Sequence, residues 1–120
     1  MKVTGSEWYV LECLWEEEPQ TLMSIFTRLN KTQGWAKSTC ATMLKRMEEK
    51  NLIRHEEKGR TKYFYTNTRR DEVAHKETRN FLNRIYNGSI SMMMSALVAK
   101  NELSDQDISE LEQILQKLKK

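Results

Sequence analysis

Ser38, Ala41, Thr42 and Lys45 recur at i, i+3, i+4 and i+7, the spacing that collects side chains on one face of an α-helix. Two hydroxyls, a methyl and an ammonium make no acid-base pair and no metal-ligand set. They do match the acceptors, donors and thymine methyls that base-pair edges present in the major groove of a duplex. Thr42 can hydrogen-bond or set its methyl against thymine, Ala41 offers apolar contact, and Lys45 can reach guanine O6 or N7 or a phosphate. Lys37 and Thr39 stand at the start of the segment, where the free amides and positive end of a helix suit a phosphate. Arg46 follows one turn beyond Thr42. Arg60, Lys62 and, in the preceding turn, Lys31 extend the positive track.

Other reactive side chains are too scattered for catalysis. His55 and His75 have no second His or Cys at metal-ligand spacing, so wing and helix surface are their expected places. Cys13 falls in an apolar stretch and Cys40 on the packing side of its segment, so both read as small core residues, with a redox switch at Cys40 as the residual alternative. Met92-Met93-Met94 lacks any accompanying soft ligand and reads as flexible filler of a helix interface. Tyr63, Phe64 and Tyr65 alternate along a strand, which sends at least one into the core. Glu16-Glu17-Glu18 reads as a solvated helix end. No nucleophile triad or phosphate loop accompanies these groups, so neither an enzyme nor a cofactor or metal is expected.

The charge is unevenly placed. A net +3 over 120 residues conceals 12 Lys/Arg against 4 Asp/Glu from Pro19 to Arg70, a local +8, which concentrates a field suited to a polyanion. From Asp71 to Lys120 the balance is 7 against 8, and apolar residues recur there at helical spacing, as on a partner surface. No apolar run approaches the ~20 residues of a membrane span, and the N-terminus lacks a signal-peptide layout. With two cysteines, this predicts a reducing, cytoplasmic setting.

The elements that must position these groups follow from capping and period. Thr4-Gly5-Ser6-Glu7 has capping-box form and predicts a first helix over Gly5 to Glu17, whose Trp8, Val10, Leu11, Cys13, Leu14 and Trp15 need cover on several sides. Leu22, Ile25, Phe26 and Leu29 predict a second helix, closing in a polar loop from Asn30 to Gly34. A third, over Ala36 to Lys50, sets Cys40, Met43, Leu44 and Met47 opposite the face of Ser38 and Thr42. Ile53 to Glu57 and Thr61 to Thr66 flank Lys58-Gly59-Arg60 as a hairpin.

Helices are expected again over Arg69 to Tyr86, Ser89 to Val98 and Ser104 to Lys119, with a break at Asn87-Gly88 and a hinge near Asn67 to Glu72. The fold class is therefore mainly α with a small β-hairpin wing. A winged helix-turn-helix DNA-binding domain would occupy residues 1–70 and a C-terminal helical dimerisation domain residues 71–120. Ile108, Leu111, Ile114, Leu115 and Leu118 form one stripe with no place in the first core, so a second copy of the chain is the economical cover. Phe81, Leu82, Ile85, Tyr86, Met93, Met94 and Leu97 are expected to join that dimer surface.

Several separated segments carry a family resemblance. Ser6-Glu7-Trp8 with Leu14-Trp15, Thr39 with Thr42-Met43-Leu44-Lys45-Arg46, and Lys58-Gly59-Arg60 resemble the first helix, recognition helix and wing of the penicillinase-repressor family, the BlaI/MecI/CopY group of bacterial repressors. Phe81-Leu82-Asn83-Arg84, Tyr86-Asn87-Gly88, Leu103-Ser104 and Glu110-Leu111 are similar to the dimerisation half of its penicillinase and methicillin-resistance branch.

The resemblance implies a homodimeric repressor on palindromic double-stranded operator DNA, released when a membrane-bound sensor protease system leads to cleavage in the dimerisation half. The chain departs from the family at three places. Ala96-Leu97 stands at the scissile Asn-Phe position, Ala36-Lys37 replaces the usual Ser-Pro at the recognition-helix start, and Gln113 to Lys120 lacks the Cys-x-Cys hooks of the copper branch. A winged-helix protein-interaction module and a nonspecific architectural DNA binder are the alternatives, and the +8 segment favours DNA over the first.

Overall fold

The computed structural model describes residues 2–119. Among these, six helices and one antiparallel hairpin follow in the order α1 (Gly5–Glu16), α2 (Leu22–Gln33), α3 (Lys37–Glu49), β1 (Ile53–Lys58), β2 (Thr61–Thr66), α4 (Arg70–Tyr86), α5 (Ile90–Ala99) and α6 (Asp105–Leu118). The winged-helix order read from the sequence is the order observed. Two compact units divide within α4, one reaching Glu77 and the other beginning at Thr78.

In the first unit, each helix start shows its local cause. Thr4 Oγ1 accepts from the Glu7 amide at 3.1 Å while the Glu7 carboxylate accepts from the Thr4 amide at 2.9 Å, so the expected capping box forms. Thr21 accepts from the Ser24 amide at 3.1 Å and starts α2. That helix continues through the expected polar loop to Gly34, whose φ of 72° closes it. Lys31 therefore belongs to the last turn of α2, not to a turn between helices. α3 starts at Ala36 with no side-chain cap.

Apolar spacing then closes the core. Val10, Leu11 and Leu14 of α1, Ile25 and Leu29 of α2, and Cys40, Leu44 and Met47 of α3 are buried together with Ile53 and Phe64 of the hairpin. Val3 and Val73 join this cluster from outside the three helices and the hairpin, so the first turn of α4 is part of the same core. Each large aliphatic side chain taken fully out of water contributes about 1.5–3 kcal/mol.

The hairpin pairs Ile53 with Thr66 through to Lys58 with Thr61, which leaves Gly59-Arg60 as a two-residue turn. Gly59 has φ +65°, a conformation that a side chain would strain. Gln20 locks the hairpin to the α1–α2 connection: its amide and carbonyl bond the Phe64 backbone at 3.1 and 2.8 Å. Its buried side chain donates to the carbonyls of Cys13 and Glu17 at 2.6 and 2.7 Å. The segment expected to hinge is tied down, because Trp15 Nε1 donates to the Thr68 carbonyl at 3.2 Å and the Asn67 amide to the Leu52 carbonyl at 3.0 Å.

The second unit holds the end of α4, then α5 and α6. Asn87 and Gly88, with φ of 52° and 81°, make the expected break. Ser89 caps α5 and Ser104 caps α6, the latter in a capping box with Asp107. Leu82 is buried, but α5 and α6 contain no buried residue.

One buried ion pair fastens the first unit. Glu7 lies under the surface with Oε1 at 2.7 Å from Lys50 Nζ, which also donates to the Lys2 carbonyl at 2.8 Å. Burial pushes the Glu7 carboxyl up. The Lys50 hydrogen bond and charge and the bonds to Thr4 outweigh it and hold the group below the usual glutamate range. Glu7 thus adds stability above its unfolded value, near about 4.3, which is lost as pH falls through the lower folded value. Replacing Lys50 with Met leaves a buried charge unpaired, an expected loss of about 2 kcal/mol at neutral pH. Urea unfolding should show that deficit, and it should shrink as pH is lowered until Glu7 is protonated in both proteins.

Candidate nucleic-acid interface

α3 is amphipathic in a way that defines the site. With Cys40, Leu44 and Met47 buried, Lys37, Ser38, Thr39, Ala41, Thr42, Lys45 and Arg46 are all exposed. The uncapped N-terminus keeps the amides of residues 37 to 39 outside the helical hydrogen-bond ladder, whose first bond runs from the Cys40 amide to the Ala36 carbonyl at 3.2 Å. Such free amides, at the positive end of the helix dipole, favour an anionic oxygen.

The wing stands beside this face. Arg60 at the turn and Lys62 on β2 share one groove with Ala41 and Lys45 of α3, so four of the expected residues come together across elements distant in sequence. Lys31 does not join them. It lines a separate depression with Tyr9, Glu12 and Arg28 on the α1–α2 side.

Not every cation in the +8 segment is available. Arg28 pairs with Glu16 at 3.0 Å and Glu17 at 2.6 Å, so two of the three consecutive glutamates act as a clamp for α2. Lys50 is spent on Glu7. Arg54 stacks over Tyr65 at 4.7 Å and donates to Asn67 at 3.1 Å. Among the described residues, Lys37, Lys45, Arg46, Arg60 and Lys62 make no ion pair, so most of the unneutralised charge lies on α3 and the wing, with the unpaired Lys31 apart from it on α2.

His55 has a structural place. Its Nδ1 bonds the Glu48 carboxylate, and its ring lies 5.7 Å from Phe64, which ties the end of α3 to β1. Phe64 is the buried member of the aromatic triplet, while Tyr63 and Tyr65 are half-buried.

The sequence reading missed Thr21, Leu22 and Met23, which line the same groove from the start of α2. Met23 lies off the apolar stripe of that helix and is 51% exposed. An exposed methionine off the stripe was the available signal.

On the second unit, Phe81, Ile85, Ile108, Ile114, Leu115 and Leu118 are exposed, and Tyr86, Met93, Met94, Leu97 and Leu111 are half-buried. Leu82 departs from the expected dimer set: at 3% exposure it is already covered within its own chain and offers a partner no surface.

A family model described as Penicillinase repressor matches residues 3–117. A penicillinase repressor of Bacillus licheniformis is 29% identical over 118 residues, 98% of this chain and 92% of that one. The methicillin resistance regulatory protein MecI of Staphylococcus aureus is 24% identical over 116 residues, 97% of this chain and 94% of that one. Among solved structures, the DNA-binding domain of the repressor BlaI aligns with a TM-score of 0.54 at 24% identity, over 59% of this chain and 87% of that one. S. aureus MepR aligns with a TM-score of 0.56 at 20% identity, over 97% of this chain and 77% of that one. The two structural likenesses speak to the fold.

Cys13 and Cys40 are free and buried, and burial pushes both thiols up. The reactive thiolate is therefore scarce at neutral pH. A disulfide reagent at pH 7 is expected to leave both thiols unmodified in the native chain and to titrate both in guanidinium. Rapid native reaction at Cys40 would restore the redox reading.

Proposed function

Because the chain belongs to the penicillinase repressor family, we propose that it acts as a homodimer on an inverted-repeat operator, with one α3 in the major groove of each half-site. It is a DNA-binding transcriptional repressor, not an enzyme. The supporting observation is the face of α3: Ser38, Ala41, Thr42 and Lys45 point outward because Cys40, Leu44 and Met47 are sealed, and the wing cations Arg60 and Lys62 share a groove with Ala41 and Lys45.

In this reading, Thr42, Ala41 and Lys45 address base edges. The free amides at the α3 start, with Lys37, Thr39, Arg46, Arg60 and Lys62, hold phosphates and set register without reading sequence. The DNA-binding part is the unit that reaches Glu77, longer than the expected 1–70 because Val73 packs in its core, and the dimerisation part, expected as 71–120, is the unit from Thr78. Half-sites one helical turn apart, about 34–36 Å, suit a two-fold dimer. The operator sets the place of action in the cytoplasm. Among the described residues, no helix is long and apolar enough to cross a membrane.

Induction through a sensor protease system, as in the family, would act on α5. Ala96 and Leu97 are half-buried near the end of that helix, so a protease must first open it. A cut between Gly88 and Ser104 removes α6 from the DNA-binding part and with it the avidity of two linked half-sites.

Selection from a random duplex pool near physiological salt should recover one inverted repeat. Failure to enrich any sequence would count for architectural binding or a protein partner. On the selected site, Thr42→Val is expected to cost about 1–3 kcal/mol while leaving scrambled DNA little changed. Arg60→Ala should weaken both alike and reduce the salt slope by about one per chain. Lys31→Ala should matter less than Arg60→Ala.

Replacing Ile114 and Leu118 with Asp should yield a monomer in sedimentation and lower operator affinity by about 10²-fold or more. A monomer with full operator affinity would refute the dimeric reading.

A further inference from the structure

The groove that brings α3 and the wing together has walls unlike those of a phosphate seat. It is an open groove of about 660 Å³, within the range of about 300–1,000 Å³ typical of small-molecule sites. Leu22 and Met23 from α2 supply its accessible apolar side chains, above a floor formed by the buried Leu44 of α3 and Phe64 of β2. Phosphate recognition uses amides and cations, and gains nothing from an exposed methionine beside them.

Three cations line the same groove: Lys45, Arg60 and Lys62. None has an ion-pair partner among the described residues. Glu48 is the acid among the lining residues, and its carboxylate is engaged by His55. The net character is thus an apolar slot with a positive rim.

We propose that this groove binds a small amphipathic organic anion, a ring or branched alkyl body carrying one carboxylate, sulfonate or phosphate, and that its occupancy excludes duplex DNA. The apolar body lies against Leu22 and Met23, and the head group meets Lys45, Arg60 and Lys62. A neutral molecule of the same shape leaves the cations without a partner. A free nucleotide brings sugar hydroxyls and extra charge that the apolar walls would desolvate without hydrogen bonds. Exclusion follows from shared residues, since Ala41 and Lys45 line the groove from the helix face assigned to base reading. This second half of the proposal rests on the operator reading above.

The test uses two dyes with the same rings, anilinonaphthalene sulfonate and uncharged phenylnaphthylamine, titrated by fluorescence into the full chain with and without the selected duplex. The expected result is a sulfonate-binding component lost in Met23→Glu, reduced in Met23→Gln, weakened about tenfold in the Arg60→Ala/Lys62→Ala double variant and displaced by duplex. Phenylnaphthylamine should bind that component about tenfold more weakly.

Binding unchanged in all three variants would place the dye on the exposed apolar face of α5 and α6 and overturn the proposal. Equal affinity for the two dyes would overturn the anion assignment. Dye held in a Met23-dependent site alongside bound duplex would overturn exclusion. A chain that binds no duplex at all refutes the operator reading, a result distinguishable from these because the Met23 and Arg60/Lys62 variants report on the anion site without DNA.

Discussion

Cys40, Leu44 and Met47, spaced by four and three residues and all buried, leave α3 no rotational freedom. At 3.6 residues per turn, sealing that stripe decides which side chains face away. A helix rolled by one residue would bury Thr39 or Ala41 in place of Cys40 and expose part of the core. Both ends are held too. Gly34 closes α2 just before the turn into α3, and Lys50, immediately after α3, reaches back to Glu7 on α1. The reading face is precise because the opposite face is packed.

Charge follows the same division of labour. A +8 segment looks like one diffuse basic surface until its partners are known. Arg28 clamps α2 to the acidic exit of α1, Lys50 holds Glu7, and Arg54 lies on Tyr65. Those pairings brace the scaffold and withdraw charge from other faces. Of the cations left unpaired, Lys45, Arg60 and Lys62 are collected where α3 and the wing adjoin, so the local field is more directional than the count implies.

Much of this was legible in the sequence because it rests on short-range rules. Thr4 and Glu7 announce a capping box, Gly59 a tight hairpin, and the i, i+3, i+4 rows of α2 and α3 their buried faces. Long-range effects were not legible. Nothing local says that Gln20 will bridge to Phe64, or that Val73 will complete the first core from α4. Lys31 was misplaced because Thr32 and Gln33 look like loop residues, yet the helix runs on until Gly34 supplies the positive φ that ends it. Leu82 shares the period of its exposed neighbours Phe81 and Ile85, and only packing tells them apart. The α3–wing groove needed Met23 from one helix, Lys45 from another and Arg60 from a turn, a combination that no single window contains.

The second unit states the complementary problem. α6 has fourteen residues, a length at which an isolated helix is marginal in water even with a good cap, since nucleation is costly and each added hydrogen bond gains little. Its Ser104–Asp107 capping box fixes the start, but α6 has no fully buried residue, and Leu118 is 79% exposed. Tertiary cover must supply what propensity does not. If a second copy of the chain is that cover, folding of α6 and assembly are one equilibrium, and operator affinity depends on it although no residue of α6 touches DNA. Loss of α6 would then weaken binding through linkage alone, with α3 and its reading face intact, because two half-sites held together act at a far higher effective concentration than two free monomers.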